Sequence, residues 1–102
     1  MAKLIVVYGQ PTDKEAFNAY YEKAHIPLAK KIPGLLKYDL SHGPVVNPGG
    51  NSNFYLVATL YFDSMESMQA GLNAPEGQAA AADTANFATG GVQMYMFETQ
   101  EV

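Results

Sequence analysis

The sequence contains no cysteine and no tryptophan. Without thiols, disulfides, thiolate catalysis and cysteine-based zinc or iron–sulfur sites are excluded. Basic residues are scarce too, six against ten acidic ones, for a formal charge of -4. That balance disfavours nucleic acid or an anionic membrane as a partner, and no basic cluster larger than Lys30-Lys31 opposes it. No apolar run is long enough to cross a bilayer. The N-terminal MAKLIVVYG has a short apolar run and no small-residue cleavage pattern after it, so it reads as a first strand and not as a signal peptide. A cytoplasmic location is the expectation.

Several chemical motifs are missing as well. The glycines at Gly49 and Gly50 follow Pro48 between two predicted strands and lead into no helix, so a dinucleotide fingerprint fails. No GxSxG or other nucleophile motif occurs. The two histidines, His25 and His42, stand without HxH or HxxxH spacing, and strand alternation turns Asp39 to the opposite face from His42, which argues against a metal site. Any reaction would then be acid–base chemistry without a bound cofactor.

What remains is a chain of 102 residues, 48% hydrophobic and 16% charged, which suits one globular domain over residues 1–102. A domain of this size buries only roughly 60–65% of its unfolded surface, so burial against a second copy would help it. Leu4 to Tyr8 is β-branched and aromatic and stops at Gly9-Gln10-Pro11: strand one. Thr12 with Glu15 has capping-box spacing and opens a helix that runs, with a break at Pro27, to about Ile32. Pro33-Gly34 ends it. Leu35 to His42 alternates as strand two, Gly43 to Asn53 is a loop, and Phe54 to Phe62 is strand three. Asp63 with Glu66 repeats the capping spacing and starts a second helix that falters at Gly71 and Asn73. Pro75 restarts it, and its alanine-rich run, read as close helix packing, reaches Gly90-Gly91. Val92 to Phe97 is strand four.

The order βαββαβ predicts an α+β, ferredoxin-like domain: a four-stranded antiparallel sheet with both helices on one face. In strand three, Phe54, Leu56, Ala58, Leu60 and Phe62 suit the helices. The opposite set, with Tyr55 and Tyr61, joins Tyr95 and Phe97 of strand four on a face too aromatic for water. A second copy of the chain is the expected cover, which makes a homodimer.

The chemistry concentrates between Tyr20 and Tyr38, YYEKAHIPLAKKIPGLLKY. Phe17, Tyr21, His25 and Leu28 fall at helical spacing on one inward face. Pro27 has no N–H and crowds the carbonyl of Lys23, so the helix should kink or restart there and leave a backbone acceptor beside His25. An imidazole at that point can give or take a proton near neutral pH, with Tyr21 one turn away; equally, it could simply hydrogen-bond the freed carbonyl. Tyr38 and His42 share a side of strand two and would approach His25 if that side faces the helices, although His42 also reads as a rim residue before a loop. Tyrosines, seven in all, can line a pocket while placing hydroxyls on a carbonyl oxygen, or fill core and interface.

HIPL followed by KKIPGLLKY resembles the EthD-like branch of the dimeric α/β-barrel superfamily, and the likeness extends over nearly the whole chain. The resemblance implies a homodimer of ferredoxin-like domains whose two sheets pack face to face. It also implies a connection to bacterial ether degradation beside an oxygenase system. Related lactone isomerases use a histidine in this part of helix one, which favours a functional His25. The expectation is a small apolar or aromatic catabolite bound between helix one and the sheet. His25 and Tyr21 would be catalytic, and Phe17, Leu28, Tyr38 and His42 would line the pocket. The reaction would be an isomerisation, cyclisation, dehydration or decarboxylation. Two rivals stand beside it: a non-catalytic carrier for an oxygenase, and a structural dimer with a vestigial cleft.

Overall fold

The computed structural model describes all residues, 1–102. Strand β1 (Ala2–Gly9) alternates strictly, with Leu4, Val6 and Tyr8 buried and Lys3, Ile5 and Val7 half-exposed. It lies between β5 (Phe54–Phe62) and β6 (Val92–Glu98), antiparallel to both, and β2 (Lys37–Leu40) adds to the far side of β5. The sheet order β2-β5-β1-β6 with helices on one face is the ferredoxin-like arrangement read from the sequence.

The first helical segment comes in three pieces. Helix α1 (Lys14–Tyr20) passes into a π-helical turn, Tyr21–His25, and then into α2 (Ile26–Ala29). The N–H of Ile26 reaches back to the Tyr21 carbonyl, a five-residue step. Pro27 is thus accommodated by a wider turn ahead of it, where the sequence predicted a kink or a restart, and α2 restarts at Ile26. Asp13, not Thr12, is the N-cap: its carboxylate accepts from the Ala16 N–H at 3.0 Å, while the Thr12 N–H donates to the Thr89 hydroxyl. The second cap shifts in the same way, from Asp63 to Ser64, whose hydroxyl accepts from the Ser67 N–H. In both cases the capping residue is the last one with extended backbone, where an oxygen side chain faces the first free amides.

Helix α3 (Met65–Asn73) breaks at Ala74, and α4 (Pro75–Asp83) restarts behind Pro75, followed by a 3₁₀ turn at Thr84–Asn86. Gly71 and Gly77 let backbones approach: a Cβ at Gly71 would stand 2.2 Å from the Pro33 carbonyl oxygen, and one at Gly77 2.2 Å from that of Gly71. The segment expected as a plain loop, 43–53, folds into a short hairpin of β3 (Val46–Asn47) and β4 (Gly50–Asn51).

Only 19 of the 102 residues are buried, because the molecule is a slab 18 Å thick with one helical layer on one sheet. The other sheet face carries Ile5, Val7, Tyr61, Tyr95 and Phe97, with Tyr95 52% and Phe97 42% exposed. Tyr55 does not belong to that face. A bulge where Tyr8 pairs with Leu56 and Gly9 with Phe54 turns Tyr55 toward the helices. Its ring meets Phe17 edge-on at 5.1 Å, and its hydroxyl donates to Asn18.

Candidate functional site

A narrow cavity of about 40 Å³ lies between the helices and the sheet and widens toward an open mouth. Its floor is Leu4, Val6 and Tyr8 of β1 with Ala58 and Leu60 of β5. Tyr21, His25, Ala29 and Ile32 form one wall, and Gly77, Ala80 and Ala81 of α4 the opposite one. The alanine run therefore has a consequence beyond packing: small side chains leave the space open. Exposed Ala81 and Met94 mark the mouth, where α4 passes the edge strand β6.

His25 is 5% exposed, its ring against Phe87 at 4.7 Å and Tyr21 at 5.0 Å. Nδ1 lies 2.9 Å from Oδ2 of Asp83, the last residue of α4. The other oxygen of Asp83 accepts from the Tyr20 hydroxyl at 2.6 Å and from the Asn86 amide at 3.0 Å. Desolvation pushes the Asp83 carboxyl up, but the donors Tyr20, Asn86 and His25 together outweigh it and hold the group below the ordinary aspartate value. The carboxylate is consequently an acceptor, so the shared proton sits on Nδ1. In the neutral ring Nε2 then carries the lone pair. Nε2 makes no hydrogen bond to the protein, yet no sealed-off side-chain nitrogen or oxygen lacks a partner, so it is open at the cavity wall.

Beside it stand three phenols. The Tyr21 and Tyr38 hydroxyls share a hydrogen bond, and the Tyr8 ring meets that of Tyr21 at 5.7 Å. Burial first, and then their mutual proximity, pushes the hydroxyls of Tyr8 and Tyr21 well above the ordinary phenol range; burial also raises Tyr38. All three remain neutral and able to donate. Tyr20 is raised too, chiefly because it donates to Asp83.

Of the residues singled out in the sequence, the structure brings His25, Tyr21 and Tyr38 together at the cavity and leaves three elsewhere. Leu28 is half-buried and off the cavity, because the π turn spends an extra residue and hands the inward position to Ala29. Phe17 is buried behind Tyr21, stacked on it at 5.7 Å, and supports the site without lining it. His42 lies beyond the end of β2, exposed and apart from the His25 cavity. No three His, Asp or Glu side chains converge as metal ligands. Sequence reasoning missed Tyr8, Tyr20, Asn86 and above all Asp83. A signal for Asp83 existed, since it is the single charged residue between Glu76 and Glu98.

The fold and the site define a ferredoxin-like α+β protein with a histidine–aspartate pair and a cluster of phenols at an apolar cavity. The chain belongs to the EthD family, whose domain it matches over residues 9–91. It is 38% identical to an uncharacterized 11.0 kDa protein from the thcB-thcC intergenic region of Rhodococcus erythropolis, over 100% of this chain and 98% of that one. It is similar to the crystal structure of an ethyl tert-butyl ether d (EthD) family protein from Bacillus halodurans, with 39% identity and a TM-score of 0.88 over 98% of this chain and 99% of that one. A dimeric protein of unknown function and ferredoxin-like fold from Bacteroides fragilis shares the fold at 21% identity and a TM-score of 0.65, over 96% and 95% of the two chains.

Proposed function

We propose that this protein is a homodimeric, cofactor-independent enzyme of proton transfer, acting in the cytoplasm on a small apolar or aromatic compound in the breakdown of ethers or cyclic molecules. The observation that carries the reading is the open Nε2 of His25 at the cavity wall with Asp83 bonded behind it at 2.9 Å. Nε2 takes a proton from a carbon next to a carbonyl, and the C–H electron pair moves into the enolate. A phenol of the Tyr21–Tyr38 pair donates to the developing oxyanion. Asp83 holds the ring in the tautomer that leaves Nε2 basic and stabilises the imidazolium that forms. Return of the same proton to a different carbon completes an isomerisation; given instead to a β-hydroxyl that leaves as water, it completes a dehydration, and given to the oxygen of a second carbonyl attacked by the enolate carbon, it completes a cyclisation.

The homodimer follows from the aromatic sheet face, since Tyr95 and Phe97 are roughly half exposed on a single-layered sheet. A dimeric relative with this fold supports the same reading.

Acetophenone in D₂O tests the proton chemistry, because its methyl protons lie next to a carbonyl. Wild type should accelerate deuterium incorporation, and His25→Gln, which keeps a hydrogen bond but cannot shuttle a proton near neutral pH, should not. Equal exchange by both proteins sinks the acid–base reading. Binding of acetophenone by wild type with no exchange at all would leave a carrier.

A further inference from the structure

The cavity is selective in a way that its shape alone does not convey. Its lining includes no lysine and no carboxylate, and 13 of its 16 residues are hydrophobic. The Thr84 hydroxyl already donates to the Ala81 carbonyl at 2.8 Å. The bond between the Tyr21 and Tyr38 hydroxyls uses one of that pair's two O–H donors, which leaves Tyr8, the other donor of the pair and one imidazole nitrogen to meet a ligand. The lysines are committed elsewhere or stand outside. Lys3 and Lys37 flank the Tyr61 ring at 5.1 Å on the opposite sheet face, Lys14 lies over Tyr55, and Lys30 borders an outer groove with Ile26 and Leu40, beyond the Tyr38 ring. The one formal charge directly behind the cavity wall is the negative charge of Asp83.

We propose that the ligand of this cavity is an uncharged, oxygen-bearing ring compound of the ketone or enone class, and that the site rejects carboxylates, phosphates and ammonium ions. An anion entering here would give up its hydration against aliphatic walls with no counter-charge and would face the field of Asp83. An ammonium ion finds Asp83 already saturated by Tyr20, Asn86 and His25, and phenols that are better donors than acceptors. A carbonyl oxygen loses less on leaving water and gains a phenol hydrogen bond. Thus the same donors that would support the transition state also select the substrate. In a step of the pathway this places the reaction before any oxidation of the ring substituent to a carboxylate, and its product leaves uncharged as well.

Selection by charge rests on the acid–base reading only for the choice of ketone, and it is tested separately from it. Three probes of near-equal size differ in charge at pH 7: acetophenone (neutral), benzoate (anion) and 1-phenylethylammonium (cation). Binding is followed by ligand-observed NMR and by the His25 ring signals. Acetophenone should bind at least about tenfold more tightly than either ion, a gap of about 1.4 kcal/mol. Tyr38→Phe should weaken acetophenone several-fold without admitting benzoate. Benzoate or the ammonium ion binding within about threefold of acetophenone overturns the proposal. So does an absence of acetophenone binding up to its solubility limit. Selective binding without deuterium exchange supports charge selection while rejecting the proton chemistry, which keeps the two failures apart.

Discussion

Replacing Asp83 by asparagine probes the electrostatics of the site with almost no change of shape. The carboxylate accepts three hydrogen bonds, one on Oδ2 from His25 Nδ1 and two on Oδ1 from Tyr20 and Asn86. An asparagine has one acceptor oxygen and one donor nitrogen. Placing its oxygen toward Tyr20 and Asn86 keeps two bonds and turns the amide N–H toward His25. The imidazole must then accept at Nδ1 and carry its proton on Nε2, which removes the base from the cavity. Three charge-assisted bonds become neutral ones at about 1 kcal/mol each, so stability should fall by about 2–3 kcal/mol and the melting temperature by roughly 10 °C. Loss of the base should lower proton-transfer turnover about 10²–10⁴-fold, with a much smaller change in KM, because ligand contacts are untouched. Long-range ¹⁵N–¹H NMR reads the tautomer directly, and with only two histidines in the chain the exposed His42 serves as the reference. A wild-type His25 protonated on Nε2, or an Asp83→Asn protein with unchanged tautomer and full turnover, would refute the positioning role.

Acid should expose the same carboxylate. Because the folded Asp83 carboxyl lies below its unfolded value of about 3.9, its contribution is complete above that pH and is lost as pH falls through the folded value. The stability gap between wild type and Asp83→Asn, measured by urea denaturation, should therefore narrow below about pH 4. Gly71→Ala should destabilise the domain by about 1–3 kcal/mol, because the new Cβ meets a backbone carbonyl that cannot rotate away; unchanged thermal unfolding would contradict the close approach. Phe97→Glu, at an exposed aromatic position of the sheet face, should raise the dimer dissociation constant by at least about tenfold in sedimentation experiments, since it buries a carboxylate against the partner. A mutant that sediments like wild type would remove that face from the interface. Amides of the 43–53 hairpin should exchange faster than those of β5, because its two-residue strands pair only with each other.

Strands one, three and four could be read from composition because each is rich in β-branched or aromatic residues, with strand one stopping at Gly9 and strand four starting after Gly90-Gly91. Strand two, with neither mark, is shorter in the structure, Lys37–Leu40, than the alternation over Leu35 to His42 suggested. Phe54 to Phe62 has the same bounds in the sequence and in the structure. His25, Tyr21 and Tyr38 could be read from helical and strand periodicity. Leu28 could not, since a 3.6-residue repeat carried through the segment takes no account of a π turn that Pro27 accommodates downstream. Tyr55 escaped for a similar reason: strict alternation has no term for a bulge. Asp83 is 58 residues from its histidine, and their meeting depends on how the end of α4 lies against the first helical segment. No local pattern encodes that distance. The isolation of Asp83 in an otherwise uncharged stretch was its one visible mark.

A crystal structure of the protein soaked with acetophenone tests the central claim most directly. The account predicts the ligand in the His25 cavity, its oxygen within hydrogen-bond distance of the Tyr21 or Tyr38 hydroxyl and its methyl carbon facing Nε2. Acetophenone bound instead in the polar cleft beside Lys14, Asn18 and the 43–53 hairpin, with the His25 cavity empty, would contradict it.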